Sequence, residues 1–187
     1  DDVIVQDEIE NDVTTRLFSS IADYDEGETI LRSTMTSNVG RHTWEYGAEG
    51  AFNTLDRTFA FNDDPLENAI VEEDRYEIFV TYSTALSEKL NLQAAVTEEL
   101  STIYQNREGQ TNERDFQYLK PRLELRYDQT TSDQFRLLAE RTVSQLNLND
   151  FVASRNLDDD TINFGNPNLQ PESTWTYSLG YERRSVS

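Results

Sequence analysis

Apolar and polar residues alternate along several stretches of the chain. The clearest is 76–86, where every second residue from Tyr76 to Tyr82 is apolar and Glu77, Thr81 and Ser83 occupy positions between. A period of two predicts a β-strand with one apolar face. The same pattern marks residues 29–37, 44–52, 90–101, 119–127, 135–144 and 174–182, and in a less regular form 13–21. The sequence therefore predicts seven or eight strands.

The connections between these stretches alternate in length. Short turns are predicted at 38–41, 87–89 and 130–133, and long loops at 53–74, 105–114 and 146–172. Several predicted strands reach about 11–14 residues, more than soluble sheets usually contain. Short turns on one rim and long loops on the other are typical of outer-membrane barrels. We therefore predict an all-β, antiparallel up-and-down meander that forms part of a transmembrane β-barrel in the bacterial outer membrane. The short turns would be periplasmic.

Charged side chains occupy the second face of two predicted strands. Within 119–127 every residue between the apolar positions is charged, as expected for a wet barrel interior. Six residues are candidates for binding a ligand in the lumen: Lys120, Arg122, Glu124, Arg126, Arg136 and Glu140. The alternative is that they form structural ladders between adjacent strands, and we rank that interpretation first.

Aromatic residues lie near the ends of the predicted strands. Trp44, Tyr46, Tyr76, Tyr127, Trp175, Tyr177 and Tyr181 are predicted to lie at the lipid interfaces. Arg141 interrupts an apolar face, which is expected of a residue near a rim. Pro121 lies inside a predicted strand, and it implies a bulge, a frayed pairing or an edge position.

Composition and charge exclude two classes of protein. The mean hydropathy is −0.73, and no apolar run approaches the roughly 20 residues of a membrane-spanning helix. The net charge of −20 makes nucleic-acid binding improbable. The acids concentrate in 1–12, 23–28, 63–74 and 158–160, which we interpret as solvated loops; the alternative is binding of divalent cations.

Candidate catalytic chemistry is sparse. The chain contains no cysteine and one histidine, His42, at the start of a predicted strand beside a turn. No second imidazole is available for a zinc site, and no serine or aspartate stands at a recognisable spacing from His42. We interpret His42 as an ordinary rim residue and expect no enzyme, metal site or cofactor. A barrel enzyme ranks last among the hypotheses.

A motif near the end of the chain identifies a family. The segment GNPNLQPE at 165–172, followed by the strand pattern STWTYSLGYE at 173–182, resembles a signature of TonB-dependent receptors. The motif residues are Gly165, Asn166, Pro167, Leu169, Pro171 and Glu172. Residues 150–155, 118–121 and 71–77 also resemble segments of these barrels.

This resemblance implies a barrel of about 22 strands around an N-terminal plug. Residues 1–187 would then form one partial barrel domain, with 1–27 as loop or strand, 28–187 as barrel strands and loops, and no plug. The chain has neither a signal-peptide pattern nor the TonB-contacting segment, so we expect it to be a mature or excised piece.

The resemblance also implies a function. The parent protein would take up a scarce nutrient, such as an iron chelate, a cobalamin or an oligosaccharide. Its partners would be outer-membrane lipid, that ligand, and the TonB complex through a region outside this chain. The alternative that we retain is a soluble β-sandwich that acts as a binding or adhesion module.

Overall fold

Extended strands dominate the computed structural model, which describes residues 2–10, 13–62, 64–107, 109–152, 154–156, 161–163 and 165–184. In chain order the strands are β1 (Asp2–Glu10), β2 (Val13–Val39), β3 (His42–Phe61), β4 (Asp64–Ala85), β5 (Leu90–Arg107), β6 (Gln110–Asp128), β7 (Asp133–Val143), β8 (Ser154–Asn156), β9 (Thr161–Asn163) and β10 (Ser173–Arg183). A short 3-10 turn, Leu148–Phe151, precedes β8.

Eight of these strands form one sheet in the order β1-β2-β3-β4-β5-β6-β7-β10, and each pairs antiparallel with its neighbours. β8 and β9 make a separate two-stranded hairpin within the connection from β7 to β10. The predicted antiparallel meander is confirmed. The sheet is open, since within the described residues β1 and β10 are its two edges.

The predicted long loops at 53–74 and 105–114 are wrong. β3 and β4 continue pairing as far as Phe61 and Asp64, and β5 and β6 continue to Arg107 and Gln110. The reason is a change of phase in the alternation. Between the short turns and the level of Phe52 and Tyr76, apolar residues occupy one face of the sheet. Beyond that level Leu55, Val71 and Ile103 lie on the opposite face and are almost completely buried. The polar residues in the supposed loops are the water-facing side of the same strands.

The acidic runs were likewise assigned wrongly to loops. Residues 23–28 lie inside β2, where they pair with 53–58 of β3, so that 13–21 and 29–37 belong to one strand. Residues 64–74 belong to β4, and 2–10 form β1. The run 158–160 lies outside the described residues. The strands are consequently much longer than the sequence pattern suggested.

Pro121 marks the end of one strand pairing. β6 pairs with β5 from Gln110 to Tyr127, but its pairing with β7 covers only Arg122 to Asp128. Because proline has no N–H to donate, it cannot take part fully in two ladders. Of the three alternatives predicted at Pro121, a bulge, a frayed pairing or an edge position, the structure shows a frayed pairing. Arg141 of β7 lies at this opening, and its guanidinium donates to the Leu119 carbonyl at 3.1 Å and to Ser173 Oγ at 3.2 Å.

Among the described residues there is no helix of the length and apolarity needed to cross a membrane.

A small hydrophobic core lies on one face of the sheet. It joins Leu55 of β3, Val71 of β4 and Ile103 of β5 to Phe151 and Val152 of the connection between β7 and β10. The connection therefore folds over the sheet. We call the face that it covers the inward face and the opposite face the outward face.

Candidate functional site

Large apolar side chains are exposed on the outward face. The seven predicted aromatic residues all lie there, with exposed fractions from 42% for Tyr127 to 71% for Tyr177. Tyr46 donates its hydroxyl to Met35 Sδ at 3.0 Å, on the neighbouring strand. In water such a surface would be unfavourable. It is the arrangement required where the surrounding solvent is hydrocarbon.

The aromatic residues form two levels. Trp44, Tyr82, Tyr127, Phe135 and Tyr181 all lie within three residues of the ends of their strands at the short turns. Within this level the Trp44 and Tyr82 rings lie 4.5 Å apart, and those of Phe135 and Tyr181 lie 5.0 Å apart. Tyr82 and Phe135 were not predicted as interface residues, although both lie on the apolar side of their strands.

The second level lies further along the strands. Phe52 of β3 contacts Tyr76 of β4 edge to face at 5.7 Å, and Trp175 of β10 stacks on Tyr177 at 5.9 Å. Between the two levels the outward face carries mostly aliphatic residues. This is the pattern of two interfacial girdles around an apolar band.

Hydrogen bonds connect the aromatic level near the short turns to one of those turns. Asp133, the first residue of β7, accepts from the Tyr181 hydroxyl at 2.6 Å and from Thr130 Oγ1 at 2.8 Å. These hydrogen bonds lower the pKa of the Asp133 carboxyl, and the nearby Arg183 guanidinium acts in the same direction. His42 is similarly part of this rim, because its Nδ1 lies 2.7 Å from the Tyr82 hydroxyl.

The inward face carries a continuous chain of ion pairs across β2 to β6. Arg32, Glu49, Arg75, Glu77, Lys120 and Glu99 follow one another through contacts of 3.0, 3.8, 3.2, 2.6 and 2.7 Å. Three cations thus meet three carboxylates, and the chain carries no net charge. Its members from Arg75 to Glu99 are largely shielded from solvent, with side-chain exposures of 7–19%.

Four other candidates form a second cluster nearer the short turns. Arg122 contacts Glu124 and Glu140 at 2.8 Å, and Arg136 lies 3.4 Å from Glu124. Arg126 is separate and lies 3.4 Å from Asp128. All six predicted lumen candidates therefore lie on the inward face and have carboxylate or cation partners there. Only Lys120 belongs to the chain of ion pairs.

Sequence reasoning missed most of that chain. Arg75 and Glu49 were not singled out, and the region ending at Asp74 was assigned to a loop. The signal was present, because Glu77 and Glu99 have the same parity in their strands as other inward-facing residues. The pairing of β4 with β5, which places Glu77 opposite Glu99, was needed to show that they share one lysine.

The connection of residues 144–172 is attached to the inward face at several points. Gln145, with its amide oxygen oriented toward Arg75, accepts two hydrogen bonds of 2.8 Å from that guanidinium. Asn149 donates to Glu26 of β2 at 2.6 Å. Together with the burial of Phe151 and Val152, these contacts hold the connection against four strands, β2 to β5.

The GNPNLQPE motif follows β6 beyond Pro121, where β7 is no longer paired. Arg114 donates to the Leu169 carbonyl at 2.7 Å, and the Tyr118 hydroxyl donates to the Pro171 carbonyl at 3.4 Å. At its end, Glu172 and Ser144 are joined by a backbone hydrogen bond of 2.9 Å. The motif thus occupies the position that a paired strand would have taken, and brings the chain back into β10.

The first residue of the motif must be glycine. Gly165 has φ of +71°, and a Cβ atom there would lie 2.5 Å from the Phe151 carbonyl carbon and 2.7 Å from the Val152 nitrogen. The adjacent Asn166 N–H donates to the Asp150 carbonyl at 2.9 Å. Close backbone contact and a left-handed conformation both require a residue without Cβ.

The part of the wall beyond Phe52, Tyr76 and Leu100 is strongly acidic. Its described side chains include ten acids, Asp23, Asp25, Glu26, Glu28, Asp56, Glu72, Glu73, Asp74, Glu113 and Asp115, against four bases, Arg57, Arg75, Arg107 and Arg114. We call these ten carboxylates the acidic rim. They are distributed over both faces, because successive strand residues point to opposite sides.

This distribution separates the four acids of residues 23–28. Asp23 and Asp25 face outward whereas Glu26 and Glu28 face inward, so the run does not converge on one ion. Within the described part of the chain, no group of three or more histidine, aspartate or glutamate side chains is placed to hold a metal ion.

These features define the wall of an outer-membrane β-barrel, with an apolar band facing lipid and an ion-paired face toward the interior. The chain belongs to the outer membrane protein beta-barrel family, whose model matches residues 2–186. The predicted location in the bacterial outer membrane is thereby confirmed. The alternative of a soluble β-sandwich is wrong, because the family is one of outer-membrane barrels and the eight long described strands form one open sheet rather than two packed layers.

Two solved structures share this fold. The ferric citrate transporter FecA in its unliganded form superimposes with a TM-score of 0.63 at 13% identity, over 89% of this chain and 26% of that chain. The siderophore receptor PiuA from Acinetobacter baumannii superimposes with a TM-score of 0.61 at 15% identity, over 90% of this chain and 30% of that chain. At these identities the likeness shows a shared fold, which agrees with the barrel that the resemblance to TonB-dependent receptors implied.

The present chain therefore spans only 26% and 30% of the lengths of these two proteins. Among curated proteins, none matches its sequence.

The chain of ion pairs leads to a first prediction. Replacement Lys120→Met in the full-length protein should lower the free energy of unfolding by about 3 kcal/mol, because Glu77 and Glu99 lose their shared cation in a shielded position. Arg126→Met is the matched control. Arg126 is 44% exposed and has one contact of 3.4 Å, so its loss should cost less than about 1 kcal/mol. Urea unfolding in detergent measures the unfolding free energies of the two variants, with heat-modifiable migration on gels as the signal of the folded state. Equal losses of unfolding free energy in the two variants would contradict the conclusion that Lys120 is the shared cation of Glu77 and Glu99.

The motif glycine leads to a second prediction. Gly165→Ala should displace the 3-10 turn and speed hydrogen exchange at the Phe151 and Val152 amides by at least about tenfold. Gly109→Ala is the control, because Gly109 has φ of +81° but no atom within 4 Å of an added Cβ. It therefore shares the conformational strain without the clash. Unchanged exchange in Gly165→Ala would show that the motif does not hold this turn.

Proposed function

We propose that this chain is a wall segment of a TonB-dependent outer-membrane receptor that takes up a scarce nutrient, an iron chelate, a cobalamin or an oligosaccharide. The plug, and the segment that contacts the TonB complex, would be supplied by other parts of the full-length protein. The described strands account for about one third of the barrel expected for this class.

The observation that carries this proposal is the attachment of the described residues of the connection between β7 and β10 to the inward face. This segment is held against the inner wall by a buried apolar core, by side-chain contacts to Glu26 and Arg75, and by the GNPNLQPE motif. A passive pore needs an open aqueous cross-section, whereas a receptor needs ordered groups at its outer mouth to bind its ligand. An anchored connection at the extracellular end provides such ordered groups for a receptor.

Two further observations support the proposal. The open edges of β1 and β10 would be unfavourable in a membrane, because a spanning sheet must close to satisfy its backbone groups. They are consistent with an arc of a wider barrel. FecA is a ferric citrate transporter and PiuA a siderophore receptor, and both contain this arc within a longer chain.

The proposal predicts energy-dependent uptake. A strain that lacks the full-length protein should lose uptake of one nutrient from a panel of ferric chelates, cyanocobalamin and neutral oligosaccharides, and the restored gene should return it. A protonophore should abolish the restored uptake, because TonB-dependent import draws on the proton gradient of the inner membrane. Uptake that ignores the protonophore and depends only on solute size would identify a passive pore and contradict the proposal.

A further inference from the structure

A cavity of about 310 Å³ lies at the extracellular end of the inward face. Its walls come from β4, from the hairpin of β5 and β6, and from the connection between β7 and β10. Pro167 of the GNPNLQPE motif contributes to one side. The volume is at the lower end of the range for small-molecule sites, so it suits a ligand group of one or two rings rather than a whole cobalamin.

The lining of this cavity combines apolar and amide groups. Ala69, Val71 and Phe151 are buried and form its apolar side. By the alternation of β5 and β6, the inward-facing polar residues at the rim are Gln105, Arg107, Gln110 and Asn112. Three of these four residues are carboxamides, which both donate and accept hydrogen bonds and carry no charge. The fourth, Arg107, is the one charged residue of the lining.

The charge of the lining differs from that of its surroundings. Of the cavity's lining residues, all of which belong to the described part of the chain, none is acidic. The cavity nevertheless lies within the acidic rim, where carboxylates outnumber bases by ten to four. A field of that sign repels an anionic solute as it approaches and slows its association. Anionic ferric chelates are therefore disfavoured, whereas a neutral solute is unaffected.

Sugar hydroxyls and the apolar C–H faces of sugar rings complement such a lining. Hydroxyl groups pair with carboxamides in both directions, and the C–H faces contact aliphatic and aromatic carbon. We infer that the cavity bounded by Val71, Gln105, Asn112 and Phe151 binds a neutral oligosaccharide, which is the nutrient that the barrel imports. This inference rests on the proposed function and selects one of its three nutrient classes.

Binding to the full-length protein in detergent tests the inference. The probes for titration calorimetry are maltotriose, cellotriose, xylotriose and mannotriose, with ferric citrate as the anionic comparison. At least one neutral trisaccharide should bind, and ferric citrate should not. Asn112→Leu should weaken the trisaccharide at least about tenfold, because it removes hydrogen bonds made to the ligand. Gln105→Leu should act in the same direction.

Asn68→Leu is the matched control. Asn68 is an exposed residue of β4 near the same end of the wall, and by strand alternation it faces outward, so its replacement should leave binding unchanged. Heat-modifiable migration verifies that each variant folds. If none of the four trisaccharides binds, or if Asn112→Leu binds as tightly as the unaltered protein, the inference is overturned.

The two proposals fail separately. Protonophore-sensitive uptake of a ferric chelate or cobalamin, with no trisaccharide binding, would retain the receptor and overturn the saccharide site. Trisaccharide uptake that ignores the protonophore would retain the binding site and overturn the proposed energy-coupled receptor.

Discussion

The backbone ladder from β2 to β6 is the constraint on which the rest of the structure depends. Its register assigns each side chain to one of two faces, and a shift by a single residue would move every side chain to the opposite face. In the membrane band the outward face meets hydrocarbon, so apolar residues such as Ile78 and Val80 must occupy it. Beyond the band both faces meet water, and apolar burial moves to the inward side, as at Leu55 and Val71. One uninterrupted ladder therefore carries two opposite hydrophobic patterns.

The inward face solves a different problem, since charged residues there must be paired. Glu49, Glu77 and Glu99 lie in neighbouring strands and would repel one another without the cations between them. Arg75 and Lys120 occupy those positions, and the result is a polar wall with no net charge along this chain of contacts. This balance of charges does not continue along the strands beyond the apolar band. The acidic rim lies beyond the apolar band, where both faces of the strands meet water.

Much of the architecture followed from the alternation of residues between Tyr76 and Glu182, because lipid on one side and water on the other enforce it most strictly there. The extensions of the hairpins were missed because the phase of the alternation changes near Phe52 and Tyr76. When apolar residues are expected on one face throughout a strand, the point where they change to the other face is mistaken for the start of a loop. The GNPNLQPE motif was recognisable from its letters, but its contacts with Arg114 and Phe151 depend on chain segments more than ten residues away. Predicting which carboxylates contact Lys120 would have required the register of three strands, β4, β5 and β6.

The central claim is that adjacent residues of one strand face lipid and lumen in turn. The chain contains no cysteine, so single cysteines at positions 76 to 82 of β4 in an otherwise cysteine-free full-length protein are unambiguous probes. Spin labels attached there in lipid bilayers should show high accessibility to oxygen at 76, 78, 80 and 82, and low accessibility at 77, 79 and 81. A profile without a period of two, or one with the opposite phase, would contradict the account.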